Sequence, residues 1–140
     1  MSALATTYQH VFSIIQADTE LVDLVGTRCY QGAAPPNVKY PLVLVQSYGD
    51  TEHIYFNGPL RAMSKSVVSI RVVAPDTFAA VENVSDRLDN LLNATGPTNY
   101  SRGHLASCVV VSETELTEIN DGVVWRYSGG LYEVHTSPLS

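Results

Sequence analysis

Residues 104–135 read HLASCVVVSETELTEINDGVVWRYSGGLYEVH, and this stretch decides the fold. Asn120-Asp121-Gly122 stands between two segments, His104 to Thr117 and Val123 to His135, in which apolar and polar residues largely alternate. An Asp-Gly pair supplies the positive φ angles of a tight turn, so the spacing predicts a long antiparallel hairpin. Gly129-Gly130 interrupts the second arm, and paired glycines inside a strand predict a bulge or another backbone passing close by. Side chains two apart share a face, which puts Glu113 with Glu115 and Trp125 with Tyr127. Trp125 and Tyr127 read as core.

Upstream of the hairpin, Pro97 to Gly103 reads as a polar loop carrying Tyr100 and Arg102. Phe78, Val81, Val84, Leu88, Leu91 and Leu92 fall on one stripe of a helix, with Glu82, Asn83, Asp86 and Arg87 opposite. Asp76 is placed to cap that helix and Gly96-Pro97 to close it. Lys65 to Ala74 alternates as a strand, with Val68, Ile70, Val72 and Ala74 on its apolar face. Pro41 to Ser47 is another strand, apolar on both faces near its start. Between them, His53-Ile54-Tyr55-Phe56 has β propensity and Asn57-Gly58-Pro59 has turn chemistry. Asp50 to Arg61 therefore reads as a protruding hairpin or loop.

The chain opens with an amphipathic helix over Ala3 to Ala17, capped by Ser2, on which Leu4, Tyr8, Val11, Phe12 and Ile15 recur at helical spacing. A short second helix starts at Asp18 or Thr19 and stops at Gly26. Arg28 to Gln31 is a short strand, and Gly32 to Asn37, with its two prolines, is a loop. The order predicts an α+β fold: a mostly antiparallel β-sheet with a long amphipathic helix and an N-terminal helical pair packed on it. The 140 residues contain no linker or repeat, so one domain over 1–140 is expected.

Charged residues make up only 16% of the chain, and eight Lys+Arg face fourteen Asp+Glu, a net charge of −6. A nucleic-acid binder needs a basic face to displace counterions from phosphate, so specific DNA or RNA binding is not expected. So low a charge predicts a domain whose neighbours cover part of its surface. Met1 to Gln16 lacks the basic start and unbroken apolar core of a signal peptide. No apolar run approaches the ~20 residues that span a bilayer, and no membrane partner is expected. Cys29 and Cys108 are too few for a disulfide framework and read as reduced core residues.

Enzyme signatures are missing: there is no phosphate-cradling glycine loop, no His-Glu-x-x-His and no Gly-x-Ser-x-Gly. His10, His53, His104 and His135 stand singly, so no metal site and no cofactor is expected. Glu113 and Glu115 could act as acid and base, with His104 nearby, in a small hydrolase. The plainer reading is an exposed strand face whose like charges deter edge-to-edge pairing. Aromatics cluster in and beside the β segments. Tyr48, His53, Tyr55, Phe56, Tyr100 and Arg102, on the protruding segments, are candidates for subunit or partner contacts. A generic oligomeric binding module, with a pocket under Asp50 to Arg61, is a further possibility.

The pattern as a whole resembles the tail terminator (tail-completion, or tail-to-head joining) proteins of long-tailed bacteriophages, over nearly the full chain. The likeness rests on the opening helix followed by Asp18 to Gly26, on Arg28-Cys29-Tyr30, and on the Pro-rich loop before Pro41 to Val45. It extends through Val73-Ala74-Pro75, the helix from Phe78 to Leu92, and Tyr132-Glu133-Val134. The resemblance implies a structural virion protein without catalytic residues, made in the host bacterial cytoplasm and located in the tail or neck. It implies a homo-oligomeric ring, a hexamer, that stops tube polymerisation at the head-proximal end. Its partners would be itself, the tail tube protein and the head–tail connector or stopper. DNA would pass through without specific binding; independently of the resemblance, Glu113 and Glu115 are candidates for a negative lumen wall that like charge keeps from holding phosphate. A head-completion or stopper protein of the neck is the alternative in the same class. Asp50 to Ser64 and Pro97 to Gly103 depart from the leaner members.

Overall fold

Asp121 and Gly122 take φ angles of 51° and 77°, the positive pair that a two-residue hairpin turn requires. They join β6 (Gly103–Asn120) to β7 (Val123–Ser137). In the computed structural model, which describes residues 2–55, 61–75 and 78–137, Asn120 faces Val123 and the ladder runs back to His104 opposite Ser137. The far edge of β7 pairs with β4 (Arg61–Pro75) from Ser64 to Pro75. β2 (Leu42–Ser47) follows β4, and β1 (Cys29–Gln31) lies parallel to β2 at one edge. β3 (Glu52–Tyr55) pairs with the start of β4, and β5 (Thr98–Tyr100) with the start of β6. The sheet order is β1-β2-β4-β7-β6-β5, with β3 beside β4. All described pairings except β1 with β2 are antiparallel, as the α+β reading expects.

Three helices, α1 (Ser2–Ala17), α2 (Thr19–Val25) and α3 (Phe78–Leu92), bury their apolar stripes on the sheet. Val11, Ile15, Leu21, Val25, Val81, Val84, Leu88 and Leu92 form one buried cluster with Val43, Val45, Val68, Ile70, Val72, Leu105, Tyr132 and Val134. Burying such side chains supplies about 1.5–3 kcal/mol each, and that packing holds the seven-residue α2, which is too short to persist alone. Asp18 caps α2 by accepting the Leu21 N–H (3.2 Å), and Gly26 closes it by donating to the Val22 carbonyl (2.8 Å). The side chains of Ser2 and Phe78, the cap expected at Asp76, the Asn57-Gly58-Pro59 turn and the tail at Pro138 lie outside what is described. No described helix is long and apolar enough to cross a membrane.

Several expectations are revised. The Pro97–Gly103 stretch is not an open loop: Thr98–Tyr100 forms β5, with Thr98 opposite Leu105. A three-residue strand carries no periodicity of its own and exists only through its partner. Within Asp50–Arg61 the outcome agrees with the hairpin alternative: Glu52–Tyr55 pairs antiparallel with the start of β4. At Gly129-Gly130 the β4–β7 register is continuous, and close approach is the reason for the glycines. A Cβ on Gly129 would collide with the Ile70 carbonyl oxygen, and one on Gly130 would lie 2.7 Å from the Ser112 carbonyl oxygen. The irregularity falls on the neighbouring strand, between Val110 and Ser112.

Trp125 and Tyr127 are not in the core. β7 turns Ser128, Tyr132 and Val134 towards the helices, where the Ser128 hydroxyl bonds that of Ser85 in α3 (3.2 Å). Strict alternation then sends Trp125 and Tyr127 to the helix-free face, where both are half-buried. Cys29 and Cys108 are buried free thiols, as the sequence suggests. Burial pushes both thiols up to about 12.

Candidate functional site

Beyond Val110, β6 is paired on one side only. Its outer edge meets β5 at residues 103–105, Thr95 at Cys108, and the Asn93 side chain at the Val110 N–H (3.0 Å). From Val111 to Asn120 no described strand lies along that edge, and every side chain is exposed, including Val111, Leu116 and Ile119 at 53%, 45% and 76%. An unpaired edge of this length is a template for another strand. Glu113, Glu115 and Glu118 oppose pairing with the same edge of a second copy, because like charges across a strand pair repel.

The opposite edge of the sheet is closed off. Tyr8 donates its hydroxyl to the Cys29 carbonyl (2.8 Å), the Cys29 N–H bonds Thr27, and Ala33 bonds the Gln31 carbonyl. The two ends of the sheet are therefore unlike. Head-to-tail assembly uses unlike patches, whereas a two-fold dimer uses the same patch twice.

The helix-free face is the second feature. Tyr40 meets Trp125 edge to face, with ring centroids 5.0 Å apart. Tyr127 donates its hydroxyl to Glu118 (3.0 Å), and burial followed by that carboxylate raises its pKa. Arg71 lies 5.7 Å from the Tyr127 ring centre and donates to the Gln46 side chain (2.9 Å), while its buried Nε has no partner. Tyr40, Trp125 and Tyr127, with Leu42, Leu44, Val73 and Glu118, line an open cavity of about 230 Å³.

The residues singled out from sequence fall in three places. Tyr48 and Tyr55, 60% and 52% exposed, project near β2 and β3, where His53 is half-buried and lies 2.9 Å from the Ser64 hydroxyl. Phe56 lies outside the described residues. Asp50 and His53 border an open groove of about 380 Å³ with Leu4. Tyr100 turns inward, with its hydroxyl 2.6 Å from His10 Nδ1. Arg102 is exposed at the β5–β6 turn, held through its backbone N–H on Gln9 (3.1 Å).

His10 is the residue that sequence reasoning passed over. It is 3% exposed, and its Nε2 lies 2.8 Å from the Thr95 hydroxyl, which donates onward to the Leu92 carbonyl (2.6 Å). The single hydroxyl proton of Thr95 is thus committed, so Nε2 carries the imidazole proton and Nδ1 accepts from Tyr100. Burial lowers the His10 pKa. Its place on the buried side of α1, beside Thr6, Thr7 and Val11, was the available signal.

Glu113 and Glu115 are exposed and border a small cavity of about 60 Å³ with Asp86 and Asp89 of α3. His104 is elsewhere, bonded to Asn99 (2.6 Å) within the β5–β6 hairpin. The acid–base trio of the hydrolase reading is therefore not assembled. Among the described residues, no group of three or more His, Cys, Asp or Glu side chains is placed to hold a metal.

No protein-family model matches the sequence, and no curated protein matches it. Among solved structures, a chain of the "Virion of native gene transfer agent (GTA) particle" superposes with a TM-score of 0.67 at 17% identity, over 91% of each chain. At that identity the likeness is one of fold.

Proposed function

We propose that this chain is a structural protein of a phage-like virion, and within it the tail terminator: a six-fold ring that ends tube growth at the head-proximal end and joins it to the connector. It would act by shape and contact, with no catalytic step. The fold shared with a gene transfer agent virion chain supports the class. The observation that carries the ring is the β6 edge, which no described strand covers from Val111 to Asn120 and whose Glu113, Glu115 and Glu118 oppose pairing with the same edge of a second copy, favouring a head-to-tail contact over a two-fold dimer. Contacts with tube and connector follow from that role, and the exposed Glu113 and Glu115 are the candidates for a negative lumen.

Light scattering and negative-stain imaging of the purified chain, alone and with tail tubes, test the proposal. Rings, and tubes capped at one end, are expected. A chain that stays monomeric and leaves tube length unchanged rejects it. Ile119→Asp, at the exposed tip of the β6–β7 arm, should lower the assembled fraction while the monomer, read below the assembling concentration, keeps its Tm. Charge reversal of Glu113 and Glu115 to Lys should slow DNA ejection if these side chains line the lumen.

A further inference from the structure

Three aromatic rings, Tyr40, Trp125 and Tyr127, wall the 230 Å³ cavity at the hairpin end of the helix-free face, and Glu118 contributes a carboxylate to the same lining. Glu118 is exposed and accepts the Tyr127 hydroxyl on Oε2, which leaves Oε1 open. Aromatic faces attract a cation through their quadrupoles, and a carboxylate beside them adds charge and a hydrogen-bond acceptor. A planar guanidinium suits both, because it stacks on rings and forks onto a carboxylate.

The chain's own cations show which one can fill the site. Of its eight Lys and Arg, Arg28 bonds the Pro41 and Leu24 carbonyls, Lys65 pairs with Glu133, and Arg87 pairs with Asp18. Arg71 is held by Gln46 and Tyr127, and Arg126 by Thr117. The side chain of Arg61 lies outside the described residues. Lys39 and Arg102 remain. Lys39 carries an ammonium, which lacks the planar fork that stacks on rings and pairs with a carboxylate. Arg102 sits on the exposed β5–β6 turn, sixteen positions from Glu118 along extended chain, which is about 50 Å. It cannot reach its own cavity, so the cavity open to it is that of another copy.

We propose that Arg102 of one copy places its guanidinium in the cavity walled by Tyr40, Trp125 and Tyr127 of the next and pairs with Glu118 there. The contact is head-to-tail and repeats around a ring, and in that respect it rests on the ring reading above. It names the cation and the pocket that hold neighbours together.

The test uses the full chain. R102E and E118R should each weaken association at least about tenfold by concentration-dependent light scattering. The double variant R102E/E118R should recover it. Read below the assembling concentration, Tm should hold in R102E; E118R also removes the acceptor of the Tyr127 hydroxyl, so its far-UV spectrum is the folding check. Mixed R102C and E118C chains should cross-link under mild oxidation, and the double-cysteine chain should give a ladder of oligomers. An assembled chain whose mass R102E leaves unchanged overturns the contact while the ring stands. If E118R dissociates the assembly and R102E does not, the pocket takes a cation from another source and Arg102 is overturned as its occupant. A chain that is monomeric at every concentration and gives no cross-link overturns ring and contact together.

Discussion

Arg87 in α3 grips Asp18, the N-cap of α2, through two hydrogen bonds: Nη2 to Oδ1 at 2.7 Å and Nε to Oδ2 at 3.2 Å. The same Oδ2 accepts the Leu21 N–H. One carboxylate thus starts a helix and ties it to another that is 69 residues away in sequence. The hydrogen bond from Arg87 leads the effects that hold the Asp18 pKa below the usual carboxylate range; burial opposes it, and the Leu21 N–H assists.

Asp18→Asn should therefore lower stability and flatten its acid limb. A depressed folded pKa means that the unfolded chain binds the proton more readily. The contribution is complete above the ordinary carboxylate pKa and is lost as pH falls through the depressed value. Urea midpoints measured from neutral to strongly acid pH should fall steeply for the natural chain and less so for Asp18→Asn. Identical curves would show that the pair contributes nothing.

His10 makes a second pH dependence, at higher pH. Its folded pKa lies below the ordinary histidine value because burial disfavours the imidazolium. The stability it contributes is complete above the ordinary pKa, near 6.5, and is lost as pH falls towards the lowered folded value. His10→Ala should cost about 1–3 kcal/mol at neutral pH, since it strips a partner from Tyr100 and Thr95. Ring-proton NMR should show one histidine titrating late, and His10→Gln should remove that signal.

Gly129→Ala should cost about 2–3 kcal/mol, because the added methyl has only the Ile70–Arg71 backbone of β4 to displace. Gly122→Asn makes the control. A Cβ there meets nothing within 4 Å, and Asn tolerates the positive φ of 77°. Thermal melts of the two variants should differ by several degrees.

Cys29 and Cys108 should resist a thiol reagent at pH 8 in the native chain and react in denaturant, since both are buried and pushed up to about 12. Rapid native labelling of either would contradict their placement in the core.

The hairpin, the helical stripe of α3 and the α+β class were legible because each is written in local chemistry. Asp121-Gly122 specifies a turn, period two a strand and period 3.6 a helix. The placement of the candidate contact residues was legible in part. Arg102 was visible as a cation on a turn, whereas Tyr100 beside it turned inward because His10, 90 residues away, presented an acceptor. β5 was hidden because three residues have no period to read.

Which residues of β7 share a face is written in the order of its amino acids, since side-chain alternation is a property of extended backbone. Which face the helices cover is set by packing between distant segments. Alternation is symmetric, and both rows carry bulky side chains: Trp125, Tyr127 and Leu131 in one, Tyr132 and Val134 in the other. The symmetry is broken by contacts distant in sequence. Ser128 bonds Ser85, Tyr132 donates to Asp89 at 2.5 Å, and α3 occupies their side of the sheet. Trp125 and Tyr127 are left on the helix-free face with Tyr40 and Glu118, where they form a pocket and not a core.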